Sequence, residues 1–166
     1  MSPRDPVALS GLREASAQDA DDIAALINEA YLPAEGFLYD GPRISLQEVR
    51  SLLESGGFLL RATAIGSLEG CVYVEVRGDI GYFGLLAVST ERQHHGLGRR
   101  LVSAAEAYFR DRGCAAVEID VVNHRRELFP FYGGMGYHVI GEKPFEDVRL
   151  HQPCRFVMMR KTLGSA

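Results

Sequence analysis

The sequence is poor in the features that would place it outside the ordinary globular class. Cysteine is scarce: Cys71, Cys114 and Cys154 are the only three among 166 residues, and none forms a C-x-x-C pair. An odd, scattered set is no disulfide framework. Each lies beside apolar residues, so buried free thiols in a reducing compartment are expected. No His or Asn spacing supports a nucleophilic cysteine. There is no basic surplus either. Eighteen Lys and Arg stand against 22 Asp and Glu, a formal net charge of −4. That argues against nucleic acid or an anionic membrane surface as partner and suits cationic substrates slightly better. No apolar run reaches the length of about 18 residues that a membrane-spanning helix needs. The opening M-S-P-R-D-P lacks an apolar h-region, so no signal peptide and a cytoplasmic location are expected. Repeats, low-complexity tracts and linkers are absent.

What is present fits one domain. Apolar residues make up 46% of the chain, enough at this length for a core that needs no disulfide or metal staple. Residues 1–10 read as a disordered lead-in and 11–166 as a single domain. A short strand over 12–15 precedes Ser16, which with Asp19 makes a capping pattern for a first helix. Ile23, Leu26, Ile27, Ala30 and Tyr31 follow at helical spacing, and Pro33 and Gly36 are expected to end that helix. Ser45 and Glu48 cap a second helix with Leu46, Val49, Leu52 and Leu53 on its apolar face. Strands are expected over 58–64, 68–76 and 80–88. The last is almost wholly apolar and so a buried central strand, with a hairpin turn at Gly78-Asp79 before it. A helix over 97–112 ends at Gly113. Strand 117–122, helix 127–134, and strands 137–141 and 156–159 complete the order β-α-α-β-β-β-α-β-α-β-β. That order implies an α/β sheet between helices.

The chemistry concentrates in L-L-A-V-S-T-E-R-Q-H-H-G-L-G-R-R-L, residues 85–101. A buried strand ends near Val88, a polar loop follows, and Gly96 and Gly98 open a helix. A helix N-terminus presents unpaired N–H groups and partial positive charge. Glycines let the backbone approach a ligand, so the place suits a diphosphate. Arg99 and Arg100 add charge there. The P-loop pattern is absent, and the dinucleotide fingerprint fails at its third position, where Leu101 stands. His94-His95 lack a third ligand at metal-binding spacing, so no metal is expected.

The run Gln93 to Gly98 resembles the Q/R-x-x-G-x-G/A signature of the GNAT superfamily of N-acetyltransferases. The preceding strand with L-x-V at its end, the following helix and strand, Asn123, and F-Y-G-G-M-G-Y over 131–137 are similar in order. The resemblance covers about residues 12–161. It implies a mixed, mostly antiparallel twisted sheet flanked by helices on both faces, and transfer of an acetyl group from acetyl-CoA to a primary amine by direct attack in a ternary complex. By position, backbone groups of Leu86, Ala87 and Val88 would pair with the pantetheine arm as an added strand. Residues 93–99 (Gln93, His94, His95, Gly96, Leu97, Gly98 and Arg99) would hold the pyrophosphate, the histidines standing where the family has basic residues or Gly. Asn123 and Tyr132 would lie near the thioester, Tyr132 as the acid for the leaving sulfur and the Val88 N–H as an oxyanion donor.

A base is harder to place. The family's strand glutamate falls near Tyr82 here, and Glu75 on the preceding strand is the substitute, unless the amine attacks already deprotonated. Asn123 also suits a turn, and Tyr132 a core aromatic. The acceptor is expected over 31–44 and 142–155, where Tyr31, Phe37 and Arg43 join Tyr82 as candidate substrate contacts. Carboxylates there could hold an amine, and Arg43 or Arg149 a carboxylate. A small-molecule amine is the expected acceptor ahead of a protein, and a homodimer the expected assembly. A transferase of larger acyl groups and a non-catalytic CoA-binding regulatory module are the rival readings.

Overall fold

Two amphipathic helices, three strands, a third helix and then alternating elements can bury their apolar faces only by sandwiching a sheet. The computed structural model describes residues 11–164 and has this arrangement. The expected lead-in over 1–10 lies outside the described residues. In chain order the elements are β1 (Leu12–Glu14), α1 (Ala20–Glu35), α2 (Leu46–Ser55), β2 (Gly57–Ala62), β3 (Leu68–Arg77), β4 (Ile80–Val88), α3 (Leu97–Asp111), β5 (Ala116–Val122), α4 (Leu128–Gly133), β6 (His138–Phe145) and β7 (Cys154–Thr162). The sheet has seven strands in the order β1-β2-β3-β4-β5-β7-β6. Every neighbouring pair is antiparallel except β4 and β5.

The helices cover opposite faces. On one, Ile23 and Ile27 of α1 and Val49 of α2 pack on Phe58, Leu60 and Tyr73. On the other, Leu101, Val102 and Phe109 of α3 pack on Leu59, Val72, Val74 and Phe83. Strand alternation sorts these residues, since neighbours along a strand point to opposite faces. Ser45 caps α2 as its sequence implies, its Oγ accepting from the Glu48 N–H at 3.1 Å. The Ser16 N–H donates to Asp19 at 2.8 Å ahead of α1. Three free cysteines are buried, as expected.

Pro33 does not end α1, contrary to the sequence expectation. The helix runs through it to Glu35 and stops at Gly36, whose N–H donates to the Leu32 carbonyl. A proline near a helix end deletes one hydrogen bond without stopping the last turn. β6 and β7 are also longer than their apolar runs suggest. They form a ribbon whose outer strand is largely exposed, so its polar residues carry no hydrophobic signal.

One buried polar cluster crosses the α3 face. The Glu106 carboxylate of α3 accepts from the Tyr137 hydroxyl and the Lys161 ammonium, each at 2.9 Å. Its charge is thereby paired and hydrogen-bonded, the condition on which a buried carboxylate is tolerated.

Gly81 in β4 lies against the Phe109 ring, and a Cβ there would overlap it. Gly81→Ala is expected to cost roughly 1–3 kcal/mol by overpacking, or about 2–4 °C in Tm per kcal/mol. Thermal unfolding checks this, and an unchanged Tm would show that α3 shifts freely.

Candidate functional site

Two parallel strands that twist apart leave a crevice at their C-terminal ends, and such crevices are where open α/β sheets bind ligands. β4 and β5 do this. They pair only at Ile80–Ala116, Gly81–Val117 and Tyr82–Glu118. Beyond Tyr82 the strands part. β5 continues paired with β7 to Val122–Phe156, while β4 continues paired with β3 to Val88–Gly70. The inner edges of residues 83–88 and 119–122 therefore face each other without a strand between them.

The β3–β4 ladder carries a bulge within this stretch. Cys71 pairs with Ala87 and Tyr73 with Gly84, so Leu85 and Leu86 stand opposite Val72 alone. Leu85 adopts φ +50°, a left-handed conformation that costs a side-chain-bearing residue roughly 1–2 kcal/mol. Bulges re-aim the backbone beside functional sites, and strain at such a place is a pointer to function. β4 is central, yet Gly84, Leu85 and Leu86 are only partly buried because they line the crevice. Within the strand only Gly81, Phe83 and Ala87 are buried, so the expectation of a wholly buried strand holds in part.

The crevice narrows to a throat of about 100 Å³. Phe83 to Leu86 form one wall and Ile119 to Val122 the other. Tyr31, Glu35 and Arg43 close it from the α1 side, and Arg125, Leu128 and Tyr132 from the α4 side. Tyr31, Glu35 and Arg43 also line a wider hollow of about 450 Å³ with Asn28, Leu32, Gly36, Tyr39, Gly41 and Pro42. The throat thus opens outward between α1 and the connection to α2.

The loop after β4 turns sharply at the mouth of the crevice. Gln93 Nε2 donates to the Val88 carbonyl at 3.1 Å, pinning the strand end. His94 and Gly96 both take left-handed φ, +68° and +84°. Gly96 is the residue before α3. The first-turn N–H groups of α3 have no helical acceptors. A Cβ on Gly98 would meet only Phe131, at 3.6 Å, and one on Gly96 nothing within 4 Å. The protein itself leaves the space before these glycines open, which fits a cradle for a pyrophosphate. His94, His95 and Arg99 are exposed, whereas the Leu97 side chain is buried in the core and only its backbone reaches the loop. Thr90 Oγ1 donates to Glu29 Oε1 at 3.0 Å, tying this loop to α1.

Tyr132, on α4, is 6% exposed and packs against Phe83, Phe131 and Tyr137 at ring separations of 5.0–6.0 Å. It is thus both a core aromatic and part of the throat wall. Burial raises its pKa above the ordinary phenol value, opposed by the Arg125 charge, so its proton is retained. Tyr82 is likewise raised, to about 12, chiefly by burial. The Arg77 guanidinium lies 4.0 Å from its ring centroid.

Other sequence candidates are placed differently. Glu75 is the cross-strand partner of Tyr82, but its carboxylate is held by Arg77 at 2.7 Å and does not line the throat. Asn123 Oδ1 accepts from the Arg155 N–H at 3.0 Å, while its own N–H donates to the Arg155 carbonyl. Its amide oxygen thereby fastens the end of β5 to β7. Phe37 is exposed and meets His124 edge-on, outside the throat. Arg149 is committed to Asp147 and to the Pro42 carbonyl, which locks 31–44 against 142–155. Asp40 N–H to Arg149 carbonyl and His151 N–H to Leu38 carbonyl, each 2.9 Å, complete that seam.

Two throat residues, Arg125 and Asp120, lay beyond the sequence reading, and Glu35, inside the expected acceptor stretch, has a partner it did not foresee. Glu35 is 3% exposed and pairs with Arg125 at 2.6 Å, across 90 positions of sequence. Asp120 of β5 is paired with Lys143 at 2.8 Å. Its signal was available: Glu118 and Asp120 alternate with apolar residues and must share one face of β5. The Glu35–Arg125 pair had no local signal, because a contact between a helix end and a distant turn leaves no periodicity. Among the described residues no group of three His, Cys, Asp or Glu side chains is placed to hold a metal. No described helix is long and apolar enough to cross a membrane.

Solved structures share this architecture. The ribosomal-protein-S18-alanine N-acetyltransferase of Escherichia coli superposes with TM-score 0.72 at 18% identity, over 93% of this chain and 94% of that one. The PaiA N-acetyltransferase of Thermoplasma acidophilum, in complex with coenzyme A, gives 0.73 at 18% identity, over 92% and 98%. A phosphinothricin acetyltransferase of Sinorhizobium meliloti, in complex with acetyl-CoA, gives 0.73 at 16% identity, over 93% and 89%. No curated protein matches the sequence. The sequence model of the acetyltransferase (GNAT) family matches residues 21–137, most of the domain and all of the parted strands, the glycine loop and Tyr132, and the chain belongs to that family.

Proposed function

We propose that this protein transfers the acetyl group of acetyl-CoA to the primary amine of a small molecule. The observation that carries the reading is the parting of β4 and β5 beside the open N-terminus of α3. One edge there can take an added strand, and the other end can take a diphosphate. The related acetyltransferase structures that contain coenzyme A or acetyl-CoA share the fold. The 100 Å³ throat suits an acetyl group and an amine better than a long acyl chain, which disfavours a larger donor.

Bound acetyl-CoA would supply an activated acetyl thioester. The chain's own contributions follow from placement. Backbone groups of Leu86, Ala87 and Val88 hold the pantetheine arm along the free edge of β4, and those of residues 94–99 hold the pyrophosphate. A free backbone N–H of β4 at the throat donates to the oxygen that gains charge as the amine attacks; the resemblance points to the end of the strand near Val88 for it. Tyr132, kept protonated by burial, donates to the departing sulfur. Asp120 lines the throat where Glu75 does not, its carboxylate shared with Lys143; the amine attacks as the free base and gives up its surplus proton to solvent. Glu35 and Arg125 neutralise one another and hold the two sides of the throat in register.

Two measurements test the reading. Gly98→Val adds bulk to the ligand side of the loop with little hindrance from the fold. Calorimetry is expected to show weaker acetyl-CoA binding by at least about tenfold, or 1.4 kcal/mol, with Tm nearly unchanged. Equal binding would remove the pyrophosphate from this loop. Tyr132→Phe is expected to lower kcat by about 10²-fold with little change in KM. Because the Tyr132 pKa is raised, its donor form persists at higher pH, and wild-type kcat is expected to show no loss from this group below about pH 10. A Tyr132→Phe enzyme with wild-type kcat would reduce Tyr132 to a packing residue.

A further inference from the structure

We propose that Arg43 is the anion-recognising residue of the acceptor site and that the acceptor is an amino acid, a primary amine bearing a carboxylate. This rests on the acetyl-transfer reading of the same throat. Around the throat and its rim, nearly every cation already has a carboxylate. Arg125 pairs with Glu35 and Glu127, Lys143 with Asp120, Arg77 with Glu75 and Arg149 with Asp147. Among the described residues, no ion pair involves Arg43. Its Nε is buried and has no hydrogen-bond partner, a state that folded proteins avoid and that calls for an explanation.

Arg43 is held by rings instead. Its guanidinium carbon lies 5.7 Å from the Tyr31 ring centroid and 5.4 Å from that of Tyr39. Aromatic faces orient a guanidinium and attract it without neutralising it or occupying its donors in the plane. The residue lines both the throat and the wider hollow, so it stands where an acceptor passes from one to the other. A carboxylate matches the planar fork of an arginine with two parallel hydrogen bonds.

The balance of charge favours an acceptor with one carboxylate over a plain cation or a dianion. The ionised lining of the throat is Glu35 and Asp120 against Arg43 and Arg125. With Arg125 spent on Glu35 and Asp120 on Lys143, Arg43 is, among the described residues, the charged group of the lining that has no ion partner. A carboxylate at Arg43 would satisfy that charge, and the transfer reading supplies the amine of the same acceptor. Glu35 is the only other charged group of the hollow, and it is already paired, so the acceptor's side chain is expected to be uncharged and to lie against Leu32, Tyr39 and Pro42.

The test uses the full-length protein saturated with coenzyme A for binding and with acetyl-CoA for turnover. L-leucine and L-methionine are compared with their amides and their decarboxylated amines. The wild type is expected to bind and acetylate the amino acids with kcat/KM at least about tenfold above the amides, the margin expected when a site's paired polar group meets a ligand lacking its partner. Arg43→Gln is expected to abolish that preference through KM and through calorimetric affinity. The affinity for coenzyme A should stay unchanged, and turnover of the amides should fall less than that of the amino acids. Arg43→Lys, which keeps the charge but not the fork, is expected to restore part of it. Amides or amines turned over as well as amino acids by the wild type would overturn the assignment, as would an Arg43→Gln enzyme weakened equally on all acceptors. Failure to bind any of the amino acids would also overturn it. Arg43-dependent binding of amino acids with no acetylation of any amine would contradict the transfer reading while leaving the carboxylate site in place.

Discussion

The parting of β4 from β5 after Tyr82 and Glu118 is the constraint on which the rest of the site depends. A parallel pair in the middle of a seven-stranded sheet would ordinarily run its full length, since an unpaired backbone edge in a protein interior is costly. Here β3 holds β4 from one side and β7 holds β5 from the other. The bulge at Leu85 bends β4 further. The two free edges face a space that an extended ligand could complete as a strand. The glycine loop, Tyr132 and the throat are all arranged around that opening.

Electrostatics then decide what the opening can accept. The acids of the throat are neutralised within the protein, Glu35 by Arg125 and Asp120 by Lys143. Glu35–Arg125 joins the end of α1 to the turn before α4, across the opening, and so helps set its width. Such a pair is weak evidence for stability, because desolvation offsets much of the attraction. Its value here is geometric. Among the described residues that line the throat, Arg43 has no ion partner and lies over two tyrosine rings instead.

Much of this was legible in the sequence, and the reasons are physical. Helix and strand periodicity, the Ser45–Glu48 cap and the turn glycines are local signals, and the element order follows from them. The glycine loop was legible because glycines at a helix start let the backbone approach a ligand; in the fold Gly96 also takes φ +84°, a conformation that favours glycine. Signals failed where function depends on contacts between distant segments. Arg149 and Arg43 look alike in sequence, each among aromatics and acids. Only the fold shows Arg149 folded back on Asp147 and Pro42 and Arg43 left facing the throat. Strand counting led to Tyr82 and to Glu75 on the preceding strand as its substitute, but cannot show that Arg77 two residues on takes the Glu75 carboxylate. Asn123 has its oxygen engaged with Arg155, a pairing between β5 and β7 that no local pattern encodes.

Amide hydrogen exchange with and without acetyl-CoA tests the central claim most directly. Bound acetyl-CoA is predicted to slow exchange at the N–H groups of residues 86–88 and of the first turn of α3, residues 97–99. These are the free edge of β4 and the helix N-terminus. Binding that protects neither segment, or protects only surfaces remote from the β4–β5 opening, would contradict the account.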